Sequence, residues 1–210
     1  TKTTGSAMFG TDIALPGMLH GRLLRSPVPA GRIVKLDLSQ VVAAPGVHGV
    51  STAADVPDRR SGLVLLDAPL FASDFVRYEG EPIAAVVAET RELANQALEF
   101  AVLEIEEIPS VTDIEAALAP GAPLVHPDWE SFDTSPGMTW PRSGNVVAES
   151  FADPEGVEEA FEKAAYVVED RFETGRQYQA YMEPAGSMAA ADSSGGVTVW
   201  SSTQTIYFQK

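Results

Sequence analysis

Gly175 to Pro184 reads Gly-Arg-Gln-Tyr-Gln-Ala-Tyr-Met-Glu-Pro, and about twenty residues later the chain runs Trp200-Ser-Ser-Thr-Gln204. Two amides, an acid, two tyrosines and a thioether thus lie between a glycine turn and a proline stop. A buried polar cluster must satisfy its hydrogen bonds or lose roughly 1 to 3 kcal/mol per orphaned group, so such a run suits a wall that grips a polar ligand. The same residues have a plain structural reading. Gly-Arg-Gln can be a turn, Ala180 to Met182 the start of an apolar strand, and Gln177 a solvated amide. Residue types alone leave both open.

Other chemistries find less support. His20, His48 and His126 are too scattered for a zinc centre, and each reads as an ordinary strand or loop residue. No Gly-x-Ser-x-Gly elbow is present, which removes that route to a serine hydrolase. Gly5 to Gly10 lacks the lysine and the strand-to-helix setting of a phosphate cradle. Glu79 and Glu81 flank one glycine and read as a solvated turn with one carboxylate capping backbone amides. Glu104, Glu106 and Glu107 read as the wet face of a strand. Glu183, between Met182 and Pro184, reads as a buried acid with a hydrogen-bonded partner.

The elements that must position these groups follow from periodicity and punctuation. Leu19 to Ser26 has the pattern of a half-buried strand stopped by Pro27 and Pro29. Ile33 to Leu38 predicts a second strand, and Ser39 predicts the N-cap of a short helix ended by Pro45-Gly46. Val47 to Thr52 is a third strand, and Asp58 to Asp67 a loop. Ile83 to Ala88 is a continuous apolar strand, expected to be covered on both faces. Thr90 caps a helix whose Leu93, Ala94, Ala97, Leu98 and Ala101 recur at helical spacing, and Leu103 and Ile105 alternate with acids in the strand that follows. Pro109 to Ala119 predicts a short helix.

Strand, helix and strand in succession imply an α+β fold, a mixed α/β layer rather than a bundle or sandwich. Pro120 to Asn145, rich in Pro, Gly and Ser, reads as an interdomain linker. Asp153-Pro154 supplies an N-cap and first-turn proline for a helix buried along Val157, Ala160, Phe161 and Ala164. Tyr166 to Glu173 alternates like a strand. Met188 to Ala191 and Val197 to Ser201 flank Asp192-Ser-Ser-Gly-Gly196 as a hairpin.

The 210 residues carry a formal net charge of -16, a field that repels nucleic-acid phosphates and anionic membrane headgroups. Neither polymer is an expected partner. The absence of cysteine excludes disulfides, iron–sulfur clusters and thiolate zinc sites within these residues. No run reaches the eighteen or so apolar residues that span a bilayer, and Thr1 onward shows no targeting signature, so a cytoplasmic location is expected.

Several separate motifs then converge in order along nearly the whole chain. Gly5-Ser-Ala-Met-Phe-Gly-Thr-Asp-Ile13, Leu15-Pro-Gly-Met-Leu-His-Gly-Arg22, Leu24-Arg-Ser-Pro27, Pro45-Gly-Val-His-Gly-Val50, Val76-Arg-Tyr-Glu-Gly-Glu-Pro-Ile83 and Ala119-Pro-Gly-Ala-Pro-Leu-Val-His126 resemble the a/b hammerhead domain of the xanthine dehydrogenase and aldehyde oxidase family. Gly-x-Gln before Ala-Tyr-Met-Glu-Pro, with Val-Trp-Ser-Ser-Thr-Gln downstream, resembles the opening of that family's molybdenum-binding domain.

The resemblance implies an a/b hammerhead domain over 1–120, a linker over 121–150, and over 151–210 the first strands and helix of a molybdopterin-type molybdenum-cofactor domain, incomplete here. It implies that the Gln177 amide lies near an oxygen of the metal, where its N–H donates without adding charge. Arg176 and Gln204 would also face the cofactor, with Tyr181, Glu183 and Thr203 supporting them. No direct metal ligand and no catalytic residue is implied within these 210 residues. The family's glycine-rich Gly-Gly-Gly-Phe-Gly-Gly segment and its late Gly-Glu general base do not occur, so this stretch alone is expected to be inactive.

Gln179 stands where the motif often has histidine, and Ala30-Gly-Arg32 where the family has His-Ala-Arg; both blur the subfamily. The implied parent is a molybdenum hydroxylase acting on aldehydes, N-heterocycles or purines with water as oxygen donor. Its expected partners are the rest of the large subunit and iron–sulfur (2Fe-2S) and FAD-bearing flavin subunits, in an oligomer. Apolar surface near Ile206 to Phe208 is expected to promote association. A non-catalytic scaffold or assembly module that kept the fold without the metal site is the alternative.

Overall fold

A computed structural model describes residues 1–152 and 155–203, apart from the side chain of Thr11. The chain forms two compact units, Leu19–Glu155 on its own and Thr1–Met18 with the chain from Gly156 onward.

Among the described residues the first unit has eight strands, β1 (His20–Arg25), β2 (Gly31–Asp37), β3 (Val47–Thr52), β4 (Arg60–Ser61), β5 (Ala68–Pro69), β6 (Phe75–Val76), β7 (Pro82–Ala88) and β8 (Val102–Glu107). Its helices are α1 (Ser39–Val42), α2 (Arg91–Leu98) and α3 (Ile114–Leu118). All its ladders are antiparallel: β7 lies between β1 and β3, β2 lies between β6 and β8, and β4 pairs with β5.

β7 is apolar throughout because both of its faces are covered. Val86 and Ala88 face a core completed by Val41 and by Ala94 and Ala97 of α2, whereas Ile83 joins Ala72 and Val76 in a second core against Ile33, Leu36, Leu103 and Ile105. The predicted stripe of α2 is the face that packs, and the Thr90 hydroxyl accepts from Leu93 N at 3.1 Å as a cap should. Gly31 permits the β2–β8 approach: a Cβ there would stand 2.9 Å from the Glu106 carbonyl oxygen and closer still to Ile105.

Two local expectations are corrected first. Ser39 is the first residue of α1 rather than its cap; Leu38 holds the cap position, and the Asp37 carboxylate accepts from Ser39 N at 2.9 Å. Glu81 is not a solvated turn residue but is 3% exposed. Its carboxylate does bind backbone as expected, accepting from Arg77 N, and it faces Arg77 Nη1 at 3.8 Å. Burial outweighs these contacts and raises its pKa.

The 121–150 stretch, expected as a linker, folds back onto the first unit. Leu66 N donates to Asp133 O and Ser135 N to Val64 O, Phe132 is buried, and Asn145 Nδ2 donates to the Ala117 and Pro123 carbonyls at 3.0 Å. Its proline, glycine and serine serve turns held by long-range hydrogen bonds, which composition does not distinguish from a free linker.

The second unit contains a 3-10 turn at Gly10–Asp12, helix α4 (Val157–Lys163) and the antiparallel hairpin β9 (Ser187–Ala191) and β10 (Val197–Ser201). At its turn the Asp192 carboxylate accepts from the backbone N–H of Ser194 and Gly196 and from the Ser194 hydroxyl, and Gly195 takes a positive φ.

α4 has Gly156 at its N-cap; the expected cap Asp153 and Pro154 lie outside the described residues, as does the 206–208 patch. The stripe of Val157, Ala160, Phe161 and Ala164 is exposed, not buried. Tyr166 to Glu173, expected as a strand, is exposed and has no ladder partner among the described residues. Alternation becomes a strand only beside another edge, and among the described residues none lies beside it.

Candidate functional site

The 175–186 segment is irregular backbone within the second unit, and two anchors hold it. Ser202 Oγ donates to the Pro184 carbonyl at 3.1 Å and accepts from Gly186 N at 3.1 Å, so the two motif stretches meet at this serine. Glu183, half-buried, accepts from Gly10 N at 3.2 Å through Oε1 and ties the segment to the N-terminal arm. The buried, hydrogen-bonded acid read from the sequence is therefore found in part, with a backbone amide as its partner.

Ala180 takes φ 50°, a left-handed conformation uncommon outside glycine and asparagine. The bend brings the rings of Tyr178 and Tyr181 to 5.6 Å between centroids. The hydrogen bond to the Tyr181 side chain raises the Tyr178 pKa.

Gln177 and Arg176 are exposed, and neither has a hydrogen bond to any described residue. Thr203 is half-buried beside Ser202, and Gln204 lies outside the described residues. The structure thus gathers Tyr178, Tyr181, Glu183, Ser202 and Thr203 within one unit. Among the described residues none encloses Gln177, which stays exposed.

Sequence reading missed Ser202, the residue that joins the two stretches. The repeated serine of Trp200-Ser-Ser-Thr was the available signal, since a hydroxyl can donate and accept at once. It also missed a polar cluster in the first unit. There His126 Nε2 lies 3.2 Å from Asp67 Oδ2, and the His126 ring stands edge-on to Phe132 at 5.0 Å. Burial lowers the His126 pKa, and the nearby Arg77 and Arg60 cations reinforce that against the opposing pull of Asp67. Among the described residues no group of three or more His, Asp or Glu side chains could hold a metal ion.

Residues 4–109 match the profile of the aldehyde oxidase and xanthine dehydrogenase a/b hammerhead domain. The chain belongs to the aldehyde oxidase and xanthine dehydrogenase family. Residues 141–210 match the molybdopterin cofactor-binding domain, which contains both motif stretches. Over 98% of its length the chain is 37% identical to a probable xanthine dehydrogenase subunit of Bacillus subtilis, of which it covers 26%. It is 32% identical over its full length to the nicotinate dehydrogenase large molybdopterin subunit of Eubacterium barkeri, covering 46% of that protein.

Among solved structures, quinoline 2-oxidoreductase from Pseudomonas putida 86 superposes with a TM-score of 0.76 at 33% identity, over 97% of this chain and 25% of that one. The Cu,Mo-CO dehydrogenase superposes with a TM-score of 0.81 at 30% identity, over 95% and 26%. The chain therefore spans between a quarter and a half of the length of these relatives. Among the described residues no helix is long and apolar enough to cross a membrane.

The residues present suit a molybdopterin-type cofactor in their donor chemistry. The exposed Gln177 amide is an uncharged donor not spent on any described partner.

Proposed function

We propose that this chain is the N-terminal part of the molybdopterin-binding large subunit of a molybdenum hydroxylase, an oxidoreductase acting on aldehydes, purines or other N-heterocycles. The observation that carries the reading is the order of its two matched segments, hammerhead at 4–109 and cofactor-binding domain at 141–210. When bound, the molybdenum cofactor supplies a two-electron oxidation in which the substrate carbon gains oxygen from water. Iron–sulfur and flavin subunits, which would accept the electrons, are among the partners we include.

In this reading the 1–120 hammerhead and the 151–210 segment have separate duties. Gln177 would help hold the cofactor through its amide N–H, and Arg176 and Gln204 would face it. Tyr181 and Thr203 orient them, while Glu183 fixes the backbone by its bond to Gly10 N. The cytoplasm is the compartment we propose, to be checked by cell fractionation.

Metal and pterin analysis of the intact enzyme tests the reading. About one molybdenum per large subunit is expected, and Gln177→Ala should lower cofactor retention or turnover at least tenfold without unfolding the protein. A fully active preparation free of molybdenum would overturn it. An inactive protein free of molybdenum would instead favour the scaffold role.

A further inference from the structure

A cavity of about 590 Å3 lies within the Leu19–Glu155 unit, and none of its walls comes from the cofactor-binding segment. Its volume is in the range that holds small organic ligands, roughly 300 to 1,000 Å3. Leu70, Ile108 and Leu124 give it accessible apolar walls, and Arg59, Arg60 and Arg77 contribute cations.

Arg59 is exposed, and the other two differ in what they already hold. Arg77 faces Glu81 at 3.8 Å and donates to the Phe75 carbonyl at 3.4 Å. The half-buried Arg60 lies over the Phe132 ring at 4.9 Å and has no carboxylate within ion-pair distance among the described residues. Its Nη1 is shut from solvent without a hydrogen-bond partner. A cation partly withdrawn from water with no anion to answer it is costly, and proteins ordinarily pair such groups. Asp58, Asp74 and Asp128 also line the cavity, yet none pairs with Arg60.

We propose that this cavity binds a small apolar carboxylate, an aryl or branched-alkyl acid, whose carboxylate pairs with the Arg60 guanidinium and whose body lies against Leu70, Ile108 and Leu124. A planar monoanion matches the two-pronged guanidinium donor. A phosphate or other dianion would meet three aspartates and gain nothing from the apolar walls. No described residue of the 175–203 stretch lines the cavity, so the proposal stands or falls independently of the proposed cofactor role.

The test is ligand-observed NMR titration of the intact enzyme with benzoate, and with benzamide as its uncharged isostere. Because benzoate can also enter a substrate site, the quantity read is the part of its binding that depends on Arg60. Arg60→Gln should weaken that binding at least tenfold and leave benzamide unchanged. Leu70→Trp, which adds bulk at an exposed lining position, should weaken it too while the far-UV circular dichroism stays the same. Benzoate binding that is equal in the wild type and both variants overturns the proposal, and so does a cavity already filled by another part of the enzyme. Should Arg60→Gln not fold, Arg60→Lys, which keeps the charge but loses the fork, takes its place beside Leu70→Trp on the same criterion.

Discussion

Glu81 carries its charge into the interior and meets one backbone N–H and one guanidinium there. Removing the carboxylate leaves Arg77 half-buried without its acid, so Glu81→Ala should cost about 3 kcal/mol in chemical denaturation. Glu81→Gln, which retains an acceptor for Arg77 N, should cost less. The pH dependence follows from the raised pKa. A carboxyl that holds its proton more tightly when folded adds stability below its unfolded value and loses that contribution as pH rises through the folded value. Wild-type stability measured relative to Glu81→Gln should therefore fall as pH climbs from the ordinary glutamate value of 4.5. His126 runs the other way. Its lowered pKa means that the folded state resists protonation, so wild type should lose stability relative to His126→Gln as pH falls below 6.5. Denaturation midpoints at a series of pH values read both signs. Neither burial was legible locally, because Glu81 sits in a Glu-Gly-Glu run and His126 among prolines, both typical of solvated turns.

At the scale of elements, β7 is the strand on which two cores depend. Ile83 is fully buried, and Ile83→Ala should cost about 2 to 5 kcal/mol through lost burial and the cavity left behind. Thr90→Ala removes the hydroxyl that receives Leu93 N and should cost about 1 kcal/mol, with α2 fraying first in hydrogen exchange. Both elements were readable because their signals lie within a few residues: a continuous apolar run, a cap, and a stripe at helical spacing. The β9–β10 hairpin was readable for the same reason, its turn being made by Asp192 and the glycines beside it. By contrast α4 and Tyr166 to Glu173 have the right periodicity but expose their apolar faces. Periodicity tells which face would be buried but not what buries it.

At the scale of the molecule, the second unit leaves much apolar surface uncovered, with Phe172 89% and Met182 99% exposed. Monomeric proteins rarely present such surface without a partner for it. The 210-residue chain expressed alone should therefore associate and bind a hydrophobic dye, whereas residues 19–155, which contain both buried cores, should stay dispersed. Light scattering and dye fluorescence of the two proteins side by side check this. Equal dispersal without dye binding would show that the exposed residues find cover within the chain itself.

The amino-acid sequence by itself determined the α+β fold, the order of most elements and the family, since each rests on short-range pattern or on motifs that keep their order. The tertiary structure decided that Glu81 is buried, that 121–150 packs back onto the hammerhead unit, that Ser202 joins the two motif stretches, and that Arg60 pairs with no acid among the described residues. Those outcomes depend on residues far apart in the chain arriving together. Solvent exclusion is a property of that meeting, and no local stretch encodes it.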